Sequence, residues 1–345
     1  MGNKSEVNAK MIAVLTGVSP SAVSMVLNNR GSEFRIAEKT RERILQTARE
    51  LGYEHVAKTK RSKKKSTMEP ICIFCPINFD RGPTAQFYAG FLRYITEKKL
   101  SYDVILIPFE TGQLRGRARW FTGAKASGIV LISLAEDDIE FIESNDFEIP
   151  VILYNRSARG YSSILTDDYS VGYKTMTHFI KRGHKKFGLI SPDYSSRALT
   201  FRMMGYLDRF NSYNFKTGEA FLLPAACGDD SDTGGYQAME ALLRADPIPT
   251  AVFIPSDNMV GGIVRCIRDK GLRIPHDIEL ISYGDKPVNS VVSPSVSSYA
   301  TPVDEMSYYC AKTLHELIAG SAMTDNVKLS FEAKCIFRDS SPETL

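Results

Sequence analysis

In the stretch TGVSPSAVSMVLNN (residues 16–29), Ser21, Ser24 and Asn28 recur at helical spacing, with Pro20 ahead of them and Met25 among them. Hydroxyl and amide groups at i, i+3 and i+7 share one helix face. They can exchange hydrogen bonds with base edges or phosphate oxygens, and Met25 can add an apolar contact such as one to a thymine methyl. Such small side chains also permit close approach to a groove. The chemistry on offer is recognition, not bond making.

Residues suited to bond making are dispersed. The five histidines are scattered, and H-E-x-x-H, G-x-S-x-G, G-x-x-x-x-G-K-[ST] and a G-x-G-x-x-G after the first strand are all missing, so an enzyme is not expected. His184 in KRGHKKFG fits a helix-to-strand turn behind a capping Gly183, and the Gly pair in NMVGGIVRCIRDKG suits close helix packing. The six cysteines lack disulfide-scaffold spacing. Cys72 and Cys75 form a C-x-x-C inside ICIFC, where a strand turns them to opposite faces, and no second ligand pair follows. Neither a metal nor a cofactor is expected.

The elements that position the recognition face can be read from periodicity. Residues 8–15 form an amphipathic helix with Asn8 as N-cap and Gly17 as left-handed stop; Ser19 caps a second helix with Pro20 at its first position and Val23, Val26 and Leu27 as its stripe. A turn of three to four residues between them makes a helix-turn-helix. A third helix from about Glu38 to Leu51, with Ile44, Ala48 and Leu51 inward, closes a small bundle around which Lys10, Arg30, Arg35, Arg41 and Arg43 suit phosphate contacts.

Charge agrees with this division. Residues 1–68 hold 14 Lys and Arg against 6 Asp and Glu, and the remainder 29 against 34. A basic head on an acidic body expects a polyanion, nucleic acid before membrane surface. No apolar run reaches the roughly 18–20 residues that span a bilayer, and no signal peptide is expected, so a cytoplasmic protein is anticipated. Six Lys and Arg, including Lys63, Lys64 and Lys65, lie between 58 and 65. They read either as a solvated linker or as a tether along phosphates.

Beyond Ile71, ICIFC, DVILIP, GIVLIS and PVILYN, then KKFGLIS, TAVFIP and DIELISYG, alternate with helical stretches, which predicts parallel sheets in α/β layers. Seven strands in two runs divided near Leu165 predict two doubly wound lobes with a ligand cleft between them.

From Ala13 to Asn28 the pattern A-x-x-x-G-V-S-x-x-x-V-S-x-V-L-N, and from Thr40 to Tyr53 the pattern T-R-x-R-I-x-x-x-A-x-x-L-G-Y, resemble the DNA-binding head of the lactose/galactose repressor family of bacterial transcription regulators. IPVILYNR, DDYSVGYKTMTHFIKRGHKKFGLIS, RMMGY and the closing FRDSS extend the likeness through the body. The resemblance implies an all-α helix-turn-helix head plus an α/β core of two lobes resembling periplasmic binding proteins. The expected division is 1–56 for the head, 57–69 for a basic hinge and 70–345 for the core. Lobe 1 would span about 70–164 and 300–326, and lobe 2 about 165–299 and 327–341, with crossings near Leu165, Tyr299 and Val327.

The implied function is a repressor whose operator affinity responds to a small effector bound between the lobes, for which a sugar or derivative, an aromatic or acylated ligand, a phosphorylated metabolite and a partner protein all stay open. A homodimer would present two heads to a pseudo-palindromic operator. Pro20, Ser21, Ser24, Met25, Asn28, Arg30 and Lys63–Lys65 are the candidate DNA contacts; Asn155, Arg202, Asp257 and Asp285 are the candidate effector contacts. Two positions of the head and hinge, and two of the core, depart from the family. Met25 stands where an Arg usually meets guanine, and Ser62 stands near the usual minor-groove Leu wedge. Ser256-Asp257 and Gly284-Asp285 replace an Asn-Asp and an Asp-Asp, so Asp257 and Asp285 have a structural alternative at helix and loop starts. The rival functions are a solute-binding protein and an α/β enzyme with a fused head.

Overall fold

The computed structural model describes residues 9–27, 36–51, 69–77, 81–217, 223–321 and 326–344. The chain divides into two compact units, Met1–Thr67 and Met68–Leu345.

In the first unit, α1 (Ala9–Thr16), α2 (Pro20–Leu27) and α3 (Glu38–Glu50) close around Ile12, Ala13, Val23, Val26, Ile44 and Ala48. The turn between α1 and α2 is set locally. Gly17 has φ +67°, a conformation that costs other residues strain. The Ala22 N–H donates to Ser19 Oγ at 3.2 Å, and Pro20 opens α2 where a missing N–H costs nothing.

The second unit begins with β1 (Ile71–Pro76), α4 (Arg81–Glu97), β2 (Val104–Phe109), β3 (Gly128–Ile132), α5 (Glu136–Glu143), β4 (Val151–Tyr154) and β5 (Ser162–Thr166). There follow α6 (Asp168–Lys181), β6 (Phe187–Pro192), α7 (Arg197–Thr217), β7 (Ala225–Gly228), α8 (Asp232–Leu242), β8 (Ala251–Ile254), α9 (Val260–Asp269), β9 (Glu279–Tyr283), α10 (Pro287–Val291) and β10 (Ser297–Ala300). The chain closes with α11 (Val303–Ile318), β11 (Lys328–Phe331) and β12 (Lys334–Ile336). Two six-stranded sheets result, ordered β11-β5-β4-β3-β1-β2 and β12-β10-β9-β8-β6-β7. The first is wholly parallel; the second is parallel except where β12 meets β10. Each sheet buries both faces: Cys72 and Phe74 point into one core of lobe 1, Ile71 and Ile73 into the other.

The third crossing differs from the expectation at Val327. β11 pairs with β5 and belongs to lobe 1, and β12 pairs with β10 in lobe 2, so the chain crosses at Glu332 and Ala333. The strand Lys328–Phe331 alternates exposed and half-buried residues at a sheet edge, and its apolar content is too low to betray it.

Helices α6 and α7 pack closely because each carries a glycine at their crossing. A Cβ on Gly172 would collide with the Arg202 carbonyl, and one on Gly205 with the Tyr169 carbonyl. This contact sets Arg202 of α7 against Asp168 at the start of α6. Gly262 of α9 lies similarly against the Asp232 carbonyl of α8, the packing role anticipated for the Gly pair.

Candidate functional site

On the head, Pro20, Ser21 and Ser24 are exposed and Met25 is half-buried, while Val23 and Val26 face inward. The outward face of α2 is thus small, polar and nearly uncharged. Arg43 of α3 is exposed, and Arg41 pairs with Glu38 one turn earlier. Asn28, Arg30, Lys63, Lys64 and Lys65 lie outside the described residues.

In the second unit the polar side chains converge where the lobes meet. Arg202 places Nε 3.0 Å from Asp168 Oδ1, donates from Nη1 to the Pro255 carbonyl, and stacks over the Tyr283 ring at 3.8 Å. Burial pushes the Asp168 carboxyl up to about 6, against the pull of Arg202, Arg197 and Arg156. Arg156, in the loop after β4, donates from Nε to the Leu134 carbonyl at 2.9 Å and from Nη1 to the Asn155 carbonyl at 2.8 Å. Tyr194, between β6 and α7, lies near Asp230 and is 49% exposed; its own burial and the charge of Asp230 raise its pKa. Asp230 accepts from Ser256 Oγ at 2.6 Å and Asn258 Nδ2 at 2.8 Å.

The four expected effector contacts therefore divide. Arg202 lies in this cluster. Asn155, with φ +53°, uses its side-chain oxygen to accept from the Thr166 N–H and Oγ1, both at 3.1 Å, and so holds the end of β5 beside the first crossing. Asp257 is 2% exposed; Oδ2 accepts from the Lys286 N–H at 2.8 Å and from Asn289 Nδ2 at 2.5 Å, and Oδ1 from Ser298 Oγ at 3.3 Å. Its carboxylate is thus consumed in fixing the loop before α10. Asp285, with φ +51°, pairs with Arg338 Nη1 at 2.7 Å and ties that loop to the C-terminal segment. Sequence reading missed Asp168, Arg156, Arg197 and Tyr194. The adjacent Asp167-Asp168 at a helix start was a signal, since Asp167 caps α6 through the Ser170 N–H and leaves Asp168 for other work.

Among the described residues no group of three or more metal-ligating side chains assembles, and no helix is long and apolar enough to cross a membrane. Burial pushes the Cys72 thiol up to about 11, so it stays protonated in the core. His184 sits behind Gly183 (φ +86°) as expected, with Nδ1 2.9 Å from Thr250 Oγ1 and Nε2 3.2 Å from Glu279.

Comparison with known proteins decides what this pairing of head and core is. Residues 10–55 match the profile of bacterial regulatory proteins of the lacI family, and residues 176–341 that of the periplasmic binding protein-like domain. The head is thus similar to lacI-family regulatory proteins, and the core to the periplasmic binding protein-like domain. Curated relatives include the probable HTH-type transcriptional repressor ExuR of Bacillus subtilis, 28% identical over 97% of this chain and 98% of its own. Another is the HTH-type transcriptional regulator CelR of Thermobifida fusca, 26% identical over 96% and 97%. Both are transcription regulators. Among solved structures, a CelR–cellobiose complex aligns with a TM-score of 0.66 at 24% identity, covering 97% of this chain and 100% of that one. The lac repressor dimer bound to operator and the anti-inducer ONPF aligns at 0.65 and 21%, covering 98% and 100%. These structural likenesses show that this chain shares the fold of both.

Proposed function

We propose that this protein is a cytoplasmic, non-enzymatic transcription repressor that binds a pseudo-palindromic operator as a homodimer and changes its operator affinity when a small molecule enters the cleft between the core lobes. The observation that carries this reading is the outward face of α2, which presents Pro20, Ser21, Ser24 and Met25 from a helix-turn-helix on the same chain as a two-lobed binding core. Asn28, Arg30 and Lys63–Lys65 complete the proposed DNA contacts, and Arg202, with Asp168 beside it, the proposed effector contact. Asn155 acts next to the crossing, positioning it. Asp257 and Asp285 shape the wall of the cleft.

Dimerisation has a candidate face. Edge strand β2 leaves Ile105 and Leu106 about two-fifths exposed, and Ile77 beside it is 60% exposed. An apolar sheet edge of this kind asks for a partner, and a second copy brings a second head to the other half-site.

The test is to capture sheared DNA from the source genome on the full-length protein at low salt and to sequence what is retained. A repeated inverted sequence near promoters is the expected outcome, with a protected footprint spanning both half-sites. Retention of no sequence above background would refute the reading.

A further inference from the structure

The inner side of α7 is occupied along its length. Gly205 lies against the Tyr169 carbonyl of α6, and Tyr206 and Phe210 are buried in the core of lobe 2. On a helix of 3.6 residues per turn the opposite side is the line Arg197, Phe201, Met204, Asp208 and Asn211, spaced four and three residues apart. All five are exposed. Phe201 is 37% and Met204 45% exposed, and Leu207 on the flank is 38% exposed, so the middle of the line is an apolar patch facing solvent. Alternating spacings of four and three form the seam by which one helix packs along another, and no element among the described residues covers this one.

Charge marks both ends of the patch. Arg197 acts on Asp168 through its charge but forms no ion pair among the described residues; its guanidinium lies 4.7 Å from the centre of the Phe201 ring one turn on, which lays it along the line. Asp208 stands three turns later, about 16 Å along the axis. It accepts from the Tyr169 hydroxyl at 3.0 Å and has no cationic partner among the described residues. The needs of α7 alone do not explain this order, because the first turn of a helix favours an acid and here holds Arg197 and no acid. The line is its own complement. Turned end for end about the midpoint of Phe201 and Met204, it brings Arg197 opposite Asp208 and Phe201 opposite Met204. Two copies in antiparallel array bury a Phe and a Met from each between two ion pairs.

We infer that α7 is a second self-association surface, on which two copies of this chain pair antiparallel along Phe201 and Met204 with Arg197 of each meeting Asp208 of the other. The surface belongs to lobe 2 and the β2 edge to lobe 1, so this contact adds to the homodimer and does not replace it. A chain with two such isologous contacts builds beyond a dimer, and a closed tetramer is the smallest product. A tetramer carries four heads, enough to hold two operators in one assembly.

The experiment is sedimentation of the full-length protein over a wide range of concentration, for the parent, Asp208→Arg, Arg197→Asp and the double exchange. Both single changes fall at exposed helix positions, Arg is a good helix former and an acid suits the first turn, so the far-UV circular dichroism of each should match that of the parent. The parent should sediment with about twice the mass of Asp208→Arg, or more. Each single change sets like charges against one another at both ends of the patch and should raise the dissociation constant of the assembly by about tenfold or more. The double exchange restores both ion pairs and should restore the parent mass. Because mass is compared among variants of one chain, the result does not depend on the β2 contact. Equal mass for the parent and the single variants, which would leave the face to some other occupant, or a double exchange that stays as small as the singles, would overturn the inference.

Discussion

Met25 is the residue whose consequence for recognition is sharpest. It sits half-buried on the outward side of α2, between the exposed Ser21 and Ser24 and the buried Val26. A thioether can meet a thymine methyl but cannot make the paired hydrogen bonds that distinguish guanine, worth about 1–3 kcal/mol at one base pair. Met25→Arg should therefore shift the preferred half-site toward guanine at a single position, as measured by selection from random duplexes. Recovery of the same site from both proteins would place Met25 away from the bases. In the core, Arg202 could be picked out along the chain by its place three residues before Gly205. Its surroundings could not. Asp168, Arg156 and the Tyr194–Arg197 stretch stand on three separate segments, and only the folding of β4, α6 and α7 brings them together.

At the scale of elements, the apolar runs of β1, β3, β4, β6, β8 and β9 announce central strands because both of their faces are covered. The strands that sequence reading passed over are β5, β7, β10, β11 and β12, which are edges or are rich in serine. Ser162, Ser163, Ser297 and Ser298 are fully buried, so polarity there disguised a core position. Their hydroxyls are used structurally: Ser162 Oγ accepts from the Val327 N–H, and Ser298 Oγ joins Asp257 to the Asp285 N–H. The crossing of α6 and α7 offers a direct test of element packing. Gly205→Ala places a methyl against the Tyr169 carbonyl and should cost about 1–3 kcal/mol, read as a lowered melting temperature. Because the same crossing sets Arg202 against Asp168, effector affinity should fall with it. A melting temperature equal to that of the parent would show that the helices can part without penalty.

Two properties belong to the whole molecule. The first is acid stability, centred on Glu279 of β9, which receives Arg182 Nε and Nη2 and Ser341 Oγ and lies beside His184. Burial opposes the charge of Glu279, but the adjacent His184 and the hydrogen bonds from Arg182 and Ser341 prevail and hold it down to about 2 from an ordinary 4.5. The unfolded chain thus takes up this proton first. The stabilisation is complete above about pH 4.5 and is lost as pH falls toward 2, to the extent of about 3 kcal/mol. His178, which burial and Arg182 lower to about 4 from 6.5, adds a loss in the same direction between about 6.5 and 4. Glu279→Gln should lower stability at neutral pH and flatten the curve below pH 4.5, as followed by thermal melts from pH 7 to 2; an unaltered acid limb would remove Glu279 from its cause. The second property is the charge division between residues 1–68 and the rest. Replacing Lys63, Lys64 and Lys65 by alanine should reduce the slope of log affinity against log salt by about 0.9 for each phosphate that the variant leaves unneutralised. An unchanged slope would make that run a solvated linker.

The last crossing between the sheets has a mechanical consequence. Only Glu332 and Ala333 separate β11 from β12; Ala333 is buried, and Glu332 pairs with Lys174 of α6. Two residues span about 7 Å at full extension, so this link can hold almost no slack. It is a short leash. The lobes can pivot about it but cannot slide apart, and the free energy of effector binding is channelled into rotation, where a looser tether would let it dissipate as play.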